Sequence, residues 1–364
     1  MASSEHIKSA EAVERSDDLV VKILLLLPAR PLFRFKLVSK RWQSLISDPY
    51  FSSLWRPLTF PSALIARNLS WSFGNKCDNF SYIPLKDAAA VEDSPHGLLD
   101  FLKGDSFTYT VEIMSSCGGL LFCCCYKPWI REYYVCNPTT KQFTLLPSPD
   151  RHYSRDLCLA FDPSKSPHYK ILNVGFHYNE MYSSETNSWR QLRDPFPRQI
   201  LFHLREDEDT GVFFNGAIFW VLARSFCYFD MDKEILHSDY PMPEMDITFT
   251  DYWFGCVDER LYLVGHSDRG WIRGFDVFEL GNDYSWSLKY HVDPVLEVQS
   301  SILSVMTREG NDQELFMAVY VPYQVKFINL KDNTCNMVLP IHASVGLTFA
   351  SRVYHLIENP FLAI

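Results

Sequence analysis

Long apolar runs are missing from this sequence. Runs such as Ile23 to Leu27 and Ala217 to Ala223 fall far short of the roughly 20 residues a helix needs to span a bilayer. The first twenty residues are polar and carry no apolar signal-peptide core. A soluble chain of the cytoplasm or nucleus, with no membrane partner, is the expectation.

Paired metal-binding cysteines are missing too. No C-x-x-C spacing occurs among the ten cysteines, and no His stands at zinc-ligand spacing from Cys117 or Cys123. Cys123, Cys124 and Cys125 are consecutive. Neighbouring strand side chains point to opposite faces, so this run suits an apolar strand of reduced thiols better than a disulfide framework. No G-x-S-x-G, H-E-x-x-H, P-loop or dinucleotide fingerprint is present. The eleven histidines are scattered, pairs such as His152/His168 and His237/His266 have no motif around them, and Asp207-Glu208-Asp209 reads as a solvated loop. The Cys/Tyr content would suit a copper-oxidase propeller, but no His pairing supports one. No catalytic residue, metal or cofactor is expected, and binding is the default.

The charge is divided unevenly. Residues 1–60 hold nine Lys/Arg against six Asp/Glu, while the rest holds 25 against 38, a balance of −13. Phosphate contacts need clustered positive charge, so the acidic body argues against a nucleic-acid partner. The small basic segment fits an acidic protein better.

That segment reads as three short helices. Ser16-Asp17-Asp18 is a helix start, Ser as cap and the acids in the first turn. Leu19, Ile23, Leu26 and Leu27 follow at helical spacing until Pro28. A second helix begins at Pro31 with Leu32, Phe33, Phe35, Leu37 and Val38. Ser39 can cap a third, with Trp42, Leu45 and Ile46 on one face until Asp48-Pro49. So small a unit rarely buries this much apolar surface alone. A second surface must cover it, either a docking partner or the chain's own β-rich remainder, and the residues alone leave these readings even.

The remainder is aromatic and strand-rich, as expected of side chains that pack on pleated surfaces. A loose unit recurs every 40–55 positions. It runs Gly118-Gly119-Leu120-Leu121-Phe122, then Tyr133-Tyr134-Val135-Cys136-Asn137-Pro138-Thr139-Thr140, then Phe143 to Pro147. Related orders begin at Phe161, Asn215, Glu259 and Leu315. This is the period of kelch-like propeller blades, and the preferred count is six. Single sheets cannot bury both faces, so blades must stack radially and the ends must meet, with a closing strand between Val345 and Ile357. In three loops aromatic and arginine side chains gather: Tyr126, Trp129 and Arg131; Tyr252 and Trp253; Trp271 and Arg273. Interfaces favour these residue types, so they are the candidates for substrate contact, set against ordinary blade packing.

Residues 16–51 closely resemble the F-box of plant F-box proteins. The most specific parts are Leu27-Pro28, Phe35-Lys36, Val38-Ser39-Lys40-Arg41-Trp42, and Leu45-Ile46-Ser47-Asp48-Pro49 with Phe51. The region behind it resembles the F-box-associated domain, above all in Ser116-Cys117-Gly118-Gly119-Leu120-Leu121 and Cys136-Asn137-Pro138-Thr139-Thr140-Lys141. The resemblance implies an α+β multidomain chain: a disordered N-terminus over 1–13, a three-helix F-box over 14–55, a connector over 56–75 and an all-β kelch-like propeller of about six blades over 76–364.

It also implies a function. The chain would be the substrate-recognition subunit of a Skp–cullin–F-box ubiquitin ligase, itself non-catalytic, recruiting a protein client for ubiquitination and degradation. Leu19, Ile23, Pro28, Leu32, Val38 and Trp42 would form the surface for a Skp-type adaptor, or the core beneath it. Leu45, Ile46 and Phe51 would fix the third helix. Two positions depart from the family: Arg15-Ser16 stands in place of Leu-Pro, which removes an apolar adaptor contact, and Lys22 stands where Glu is frequent. The alternative is an adaptor-independent scaffold whose helices merely cap the propeller.

Overall fold

The computed structural model describes residues 16–27, 29–55, 61–72, 75–85, 92–93, 99–102, 110–127, 130–149, 154–176, 178–194, 196–204, 211–222, 224–243, 252–267, 274–293, 301–308, 311–321, 324–340 and 350–357. The N-terminus over 1–13 lies outside them.

Four short helices come first, one more than the sequence suggests: α1 (Asp17–Leu25), α2 (Ala29–Lys36), α3 (Lys40–Ser47) and α4 (Pro49–Leu54). Asp48-Pro49 does end α3, but the same pair starts α4. The Asp48 carboxylate accepts from the Tyr50 backbone N–H at 2.7 Å, and Pro49 occupies the first turn, where its missing donor costs nothing. Ser39 caps α3 by accepting from the Trp42 N–H at 3.1 Å. Ser16, expected to cap α1, makes no such side-chain bond; only its carbonyl is used, by the Val20 N–H.

The remainder is a six-bladed, all-β propeller. Blade 1 contains β1 (Ala63–Ser72), β2 (Asn75–Pro84) and β3 (Glu92–Asp93). Blade 2 contains β4 (Thr110–Cys117), β5 (Leu120–Lys127), β6 (Ile130–Asn137) and β7 (Gln142–Leu145). Blade 3 contains β8 (Ser154–Ala160), β9 (Lys170–Gly175), β10 (Asn179–Ser183) and β11 (Ser188–Gln191), with helix α5 (Arg198–His203) leading on. Blade 4 contains β12 (Val212–Phe214), β13 (Ala217–Val221), β14 (Ser225–Asp230) and β15 (Ile235–Pro241). Blade 5 contains β16 (Trp253–Val257), β17 (Arg260–Ser267), β18 (Gly274–Leu280) and β19 (Trp286–Val292). Blade 6 contains β20 (Ser301–Arg308), β21 (Asn311–Val321), β22 (Gln324–Asn329) and β23 (Cys335–Pro340). The last strand, β24 (Ala350–Leu356), completes blade 1 in the order β24-β1-β2-β3.

The first strands β24, β4, β8, β12, β16 and β20 contact one another in that cyclic order, so they form the inner ring. The expected connector over 56–75 needs correction, because Ala63–Ser72 is a strand paired on both edges, with β2 and with β24. Its partner in the repeat lies at the far end of the sequence, which hides the period.

The burial gradient follows from this stacking. Each sheet is covered on both faces by neighbours near the axis, and less so outward, so β9 and β10 are largely buried while the outer strand β11 is exposed. The run from Leu120 to Cys125 shows the two-sided burial. Leu121, Cys123 and Cys125 pack toward blade 1 with Ile65 and Leu356; Leu120, Phe122 and Cys124 pack toward blade 3 with Leu159 and Ile171. Burial pushes the Cys124 thiol up to about 12, and the neighbouring Cys136 thiol together with burial raises Cys123, so both behave as small apolar groups.

Left-handed turns explain why the double glycine fades along the repeat. The turn between first and second strands is Gly118-Gly119 in blade 2, Asn215-Gly216 in blade 4 and Asp258-Glu259 in blade 5, all at positive φ. Such hairpin turns need φ > 0 at both positions, and Asn and Asp tolerate it best after Gly. The turns between third and fourth strands repeat the device with Lys141, Asn187, Glu234, Tyr284 and Asn333. Asn137 and Asp230 brace two of them, each accepting two backbone N–H bonds.

Gly118 and Gly216 should therefore respond differently to alanine. A Cβ at Gly118 would lie 2.7 Å from Phe161 Cδ1 and 3.3 Å from its carbonyl oxygen, whereas Gly216 has open space. Gly216→Ala should cost about 1 kcal/mol, the conformational penalty alone. Gly118→Ala should cost about 2–4 kcal/mol as overpacking is added. Urea unfolding of the two variants measures the difference, and equal losses would contradict it.

Closure has a pH signature. On β24, His355 pairs through Nε2 with the Ser304 hydroxyl of β20, and its ring lies nearly parallel to Trp253 of β16, centroids 6.5 Å apart. Burial lowers its pKa to about 4, against about 6.5 in an unfolded chain. The unfolded chain then takes up a proton that the folded one refuses. His355 contributes its full stability above pH ~6.5 and loses it as pH falls through ~4, a change of about 3 kcal/mol. The expected result is a steeper fall in unfolding midpoint over that window for the natural chain than for His355→Gln; coincident profiles would refute it.

Candidate functional site

The helical segment builds a core of its own. Val20, Leu24, Leu32, Ile46, Phe51 and Trp55 are buried together, and Phe35, Trp42 and Leu45 pack against them. Phe35 and Trp42 meet edge to face at 5.1 Å. Arg41 clamps α3 to the start of α1 through Asp17, from Nη2 at 2.6 Å and Nε at 2.9 Å. The Trp55 indole donates to the Leu27 carbonyl at 3.1 Å, holding the segment's end against the α1–α2 turn.

What remains outside is apolar. Leu19 is 44% exposed, Ile23 49% and Val38 62%. Leu26 and Leu37 are more open still, at 84% and 87%. Of the six residues proposed for the adaptor, Leu19, Ile23 and Val38 are surface, Leu32 is core, Trp42 is half-buried, and Pro28 lies outside the described residues. The family pattern does not mark Leu37 for this surface. It looks like core in a periodic pattern, but α2 ends at Lys36 and leaves Leu37 and Val38 in a turn.

The propeller has two unlike ends. In each blade the turns joining strands one to two and three to four lie at one end. The loops joining two to three, and the connections to the next blade, lie at the other. The described strand ends Lys127 and Ile130, Pro241 and Trp253, and Ser267 and Gly274 all lie at this second end. β1 begins at the opposite end, where the chain from the helices enters the ring.

Of the seven candidates for client contact, Trp129, Trp271 and Arg273 lie outside the described residues. Tyr252 packs against Val221, Leu263 and Phe278, and Trp253 against the core between blades 5 and 6, so both serve blade packing. Tyr126 and Arg131 form a more specific arrangement. The Tyr126 hydroxyl donates to Glu112 Oε2 at 2.6 Å, and Glu112 pairs with the fully buried Arg67. The exposed Arg131 guanidinium lies 5.4 Å from the centre of the Tyr126 ring. Burial and the nearby Glu112 carboxylate raise the Tyr126 pKa, so its hydroxyl stays protonated as a donor.

Sequence comparison decides what this pairing of domains is. Residues 16–54 match the F-box domain, and residues 90–322 match the F-box associated beta propeller domain. The chain is an F-box protein.

This F-box protein is 31% identical to F-box protein At5g07610 of Arabidopsis thaliana, over 90% of this chain and 86% of the relative. It is 24% identical to the F-box/kelch-repeat protein At3g23880 of the same plant, over 74% of this chain and 77% of that one. Among solved structures, a Bacteroides caccae protein of unknown function aligns with 80% of the F-box protein and 98% of its own chain, at 9% identity and a TM-score of 0.45.

Proposed function

We propose that this F-box protein is the substrate-recognition subunit of a Skp–cullin–F-box ubiquitin ligase. It works without cofactor or catalytic group in the cytoplasm or nucleus, and its kelch-like blades hold a protein client for ubiquitination and degradation. F-box domains generally bind a Skp-type adaptor and through it a cullin ligase, and the chain pairs such a domain with a propeller. One observation carries the reading. The helical unit fills its own core, yet leaves Leu19, Ile23, Leu26, Leu37 and Val38 in the open. Isolated exposed leucines are ordinary, but this many on four short helices mark a docking surface.

The two ends of the propeller support a division of labour. β1 begins at the turn end, while Tyr126, Arg131, Tyr252 and Trp253 stand toward the other. A client held on the loop face would gain local concentration near the conjugating enzyme, which supplies the chemistry. Binding of the purified chain to a Skp-type adaptor is the test. A stable complex is expected, and no measurable association by the intact chain would sink the proposal.

A further inference from the structure

Resting on that client-binding reading, we infer that Arg131 is the recognition point for an acidic side chain of the client, an aspartate or glutamate. Arg131 is the second residue of β6, at the loop end of the strand, and is exposed. It is not loosely held. One side is covered by the Tyr126 ring, and the guanidinium also reaches the Tyr133 hydroxyl. Tyr133 is buried, and its pKa is pushed up to about 12, so the hydroxyl stays neutral and cannot serve as a counter-ion.

The support continues inward. Tyr126 is fixed by its 2.6 Å bond to Glu112, and the Glu112 charge is already balanced by Arg67. Arg190 and Arg260 each bind a carboxylate, Glu234 and Glu279. Among the described residues Arg131 has no carboxylate partner. The result is an exposed residue whose planar cation is held by two tyrosines, on a body whose balance beyond residue 60 is −13. Tyr126 and Tyr133 have already ordered the side chain, so less entropy is lost when a ligand binds.

A carboxylate matches this site in shape and charge. Two of its oxygens accept from the guanidinium fork, and one negative charge meets one positive charge. A phosphate brings close to two charges at neutral pH against a single guanidinium, in an acidic surround. The commitment is therefore to Asp or Glu on the client, not to a phosphorylated residue.

The test uses peptide libraries with one central position fixed as Glu, Asp, phosphoserine, Lys or Ala, applied to the purified chain. Glu- and Asp-fixed libraries should be retained about tenfold better than the Ala-fixed library, the scale of one charge-assisted bond. Arg131→Gln should remove that preference, Arg131→Lys should keep part of it, and Arg131→Glu should shift it to the Lys-fixed library. The variants lose the contacts to Tyr126 and Tyr133, so each is melted alongside the natural chain and retention is compared well below the lowest transition. Tyr126→Leu, which removes the supporting ring, should weaken retention without reversing its sign. No retention, no charge preference, or a preference unchanged in Arg131→Glu overturns the assignment; stronger retention of the phosphoserine library overturns the choice of a carboxylate. Adaptor binding measured on the same preparation separates the two claims. Acidic-peptide retention without adaptor binding would remove the ligase reading alone, and adaptor binding without retention would remove this one.

Discussion

Val38→Asp is expected to weaken adaptor binding by at least about thirtyfold while leaving the chain folded, the effect of losing a central interface anchor. Val38 stands in the turn between α2 and α3 with most of its side chain in solvent. The substitution thus removes almost nothing from the folded state and places a charge where a partner must exclude water. Leu32→Asp is the contrasting case. Leu32 is wholly buried beside Leu24 and Ile46, so a carboxylate there should dismantle the helical unit and abolish binding by unfolding it. Trp42→Ala would confuse the two effects, because the indole both packs on Phe35 and is partly open. Titration calorimetry with the adaptor, paired with a thermal melt, tells them apart. Unaltered affinity in Val38→Asp would place the adaptor elsewhere.

The second large effect concerns stability. Asp156 on β8 is buried, and its carboxylate gathers four donors. Oδ2 accepts from the Trp220 indole at 2.6 Å, the Gly211 N–H at 2.9 Å and the Cys158 thiol at 2.8 Å; Oδ1 accepts from the Leu157 N–H at 2.9 Å. Two of these donors belong to blade 4, so one side chain holds the seam between blades 3 and 4. Asp156→Ala should cost about 3–5 kcal/mol, because the donors stay buried with nothing to accept them. Asp156→Asn should recover little, since its amide group would turn donors toward donors. Adaptor affinity should survive both changes, because the F-box core draws only on residues 20–55. Urea unfolding gives the magnitude, and a loss below about 1 kcal/mol for the alanine variant would show that the seam rests on other contacts.

The fold was legible wherever a local pattern repeats. Five blades show in sequence because each is a contiguous meander, and the Phe161, Asn215, Glu259 and Leu315 units fall where the sheets lie. The sixth does not, because its strands are drawn from 63–93 and 350–356, and no window along the chain contains both. The fourth helix was hidden for another reason. Asp-Pro is a stop for the helix before it and a cap-and-first-turn pair for the one after, and only the backbone shows both.

Sites were less legible than elements. Hydrophobic spacing marks Leu32 and Val38 alike, yet one is core and the other surface, because the turn after Lys36 breaks the helical register. Among the loop residues, composition could not separate Trp253, which packs between blades, from Arg131, which rests on an aromatic support and has no carboxylate partner among the described residues. That difference lies in cross-strand neighbours such as Glu112 and Tyr133, which no linear motif records.

The pairing of β24 with β1 also sets a clock. The Ser62 hydroxyl donates to the Leu356 carbonyl across 294 residues of chain. At about 5–20 residues per second of synthesis, β1 leaves the ribosome on the order of 15–60 s before its edge partner exists. For that interval the nascent ring is open, with an unpaired strand edge at blade 1 that invites association with other chains. Closure of the ring therefore waits until residues 350–356 emerge and pair with β1.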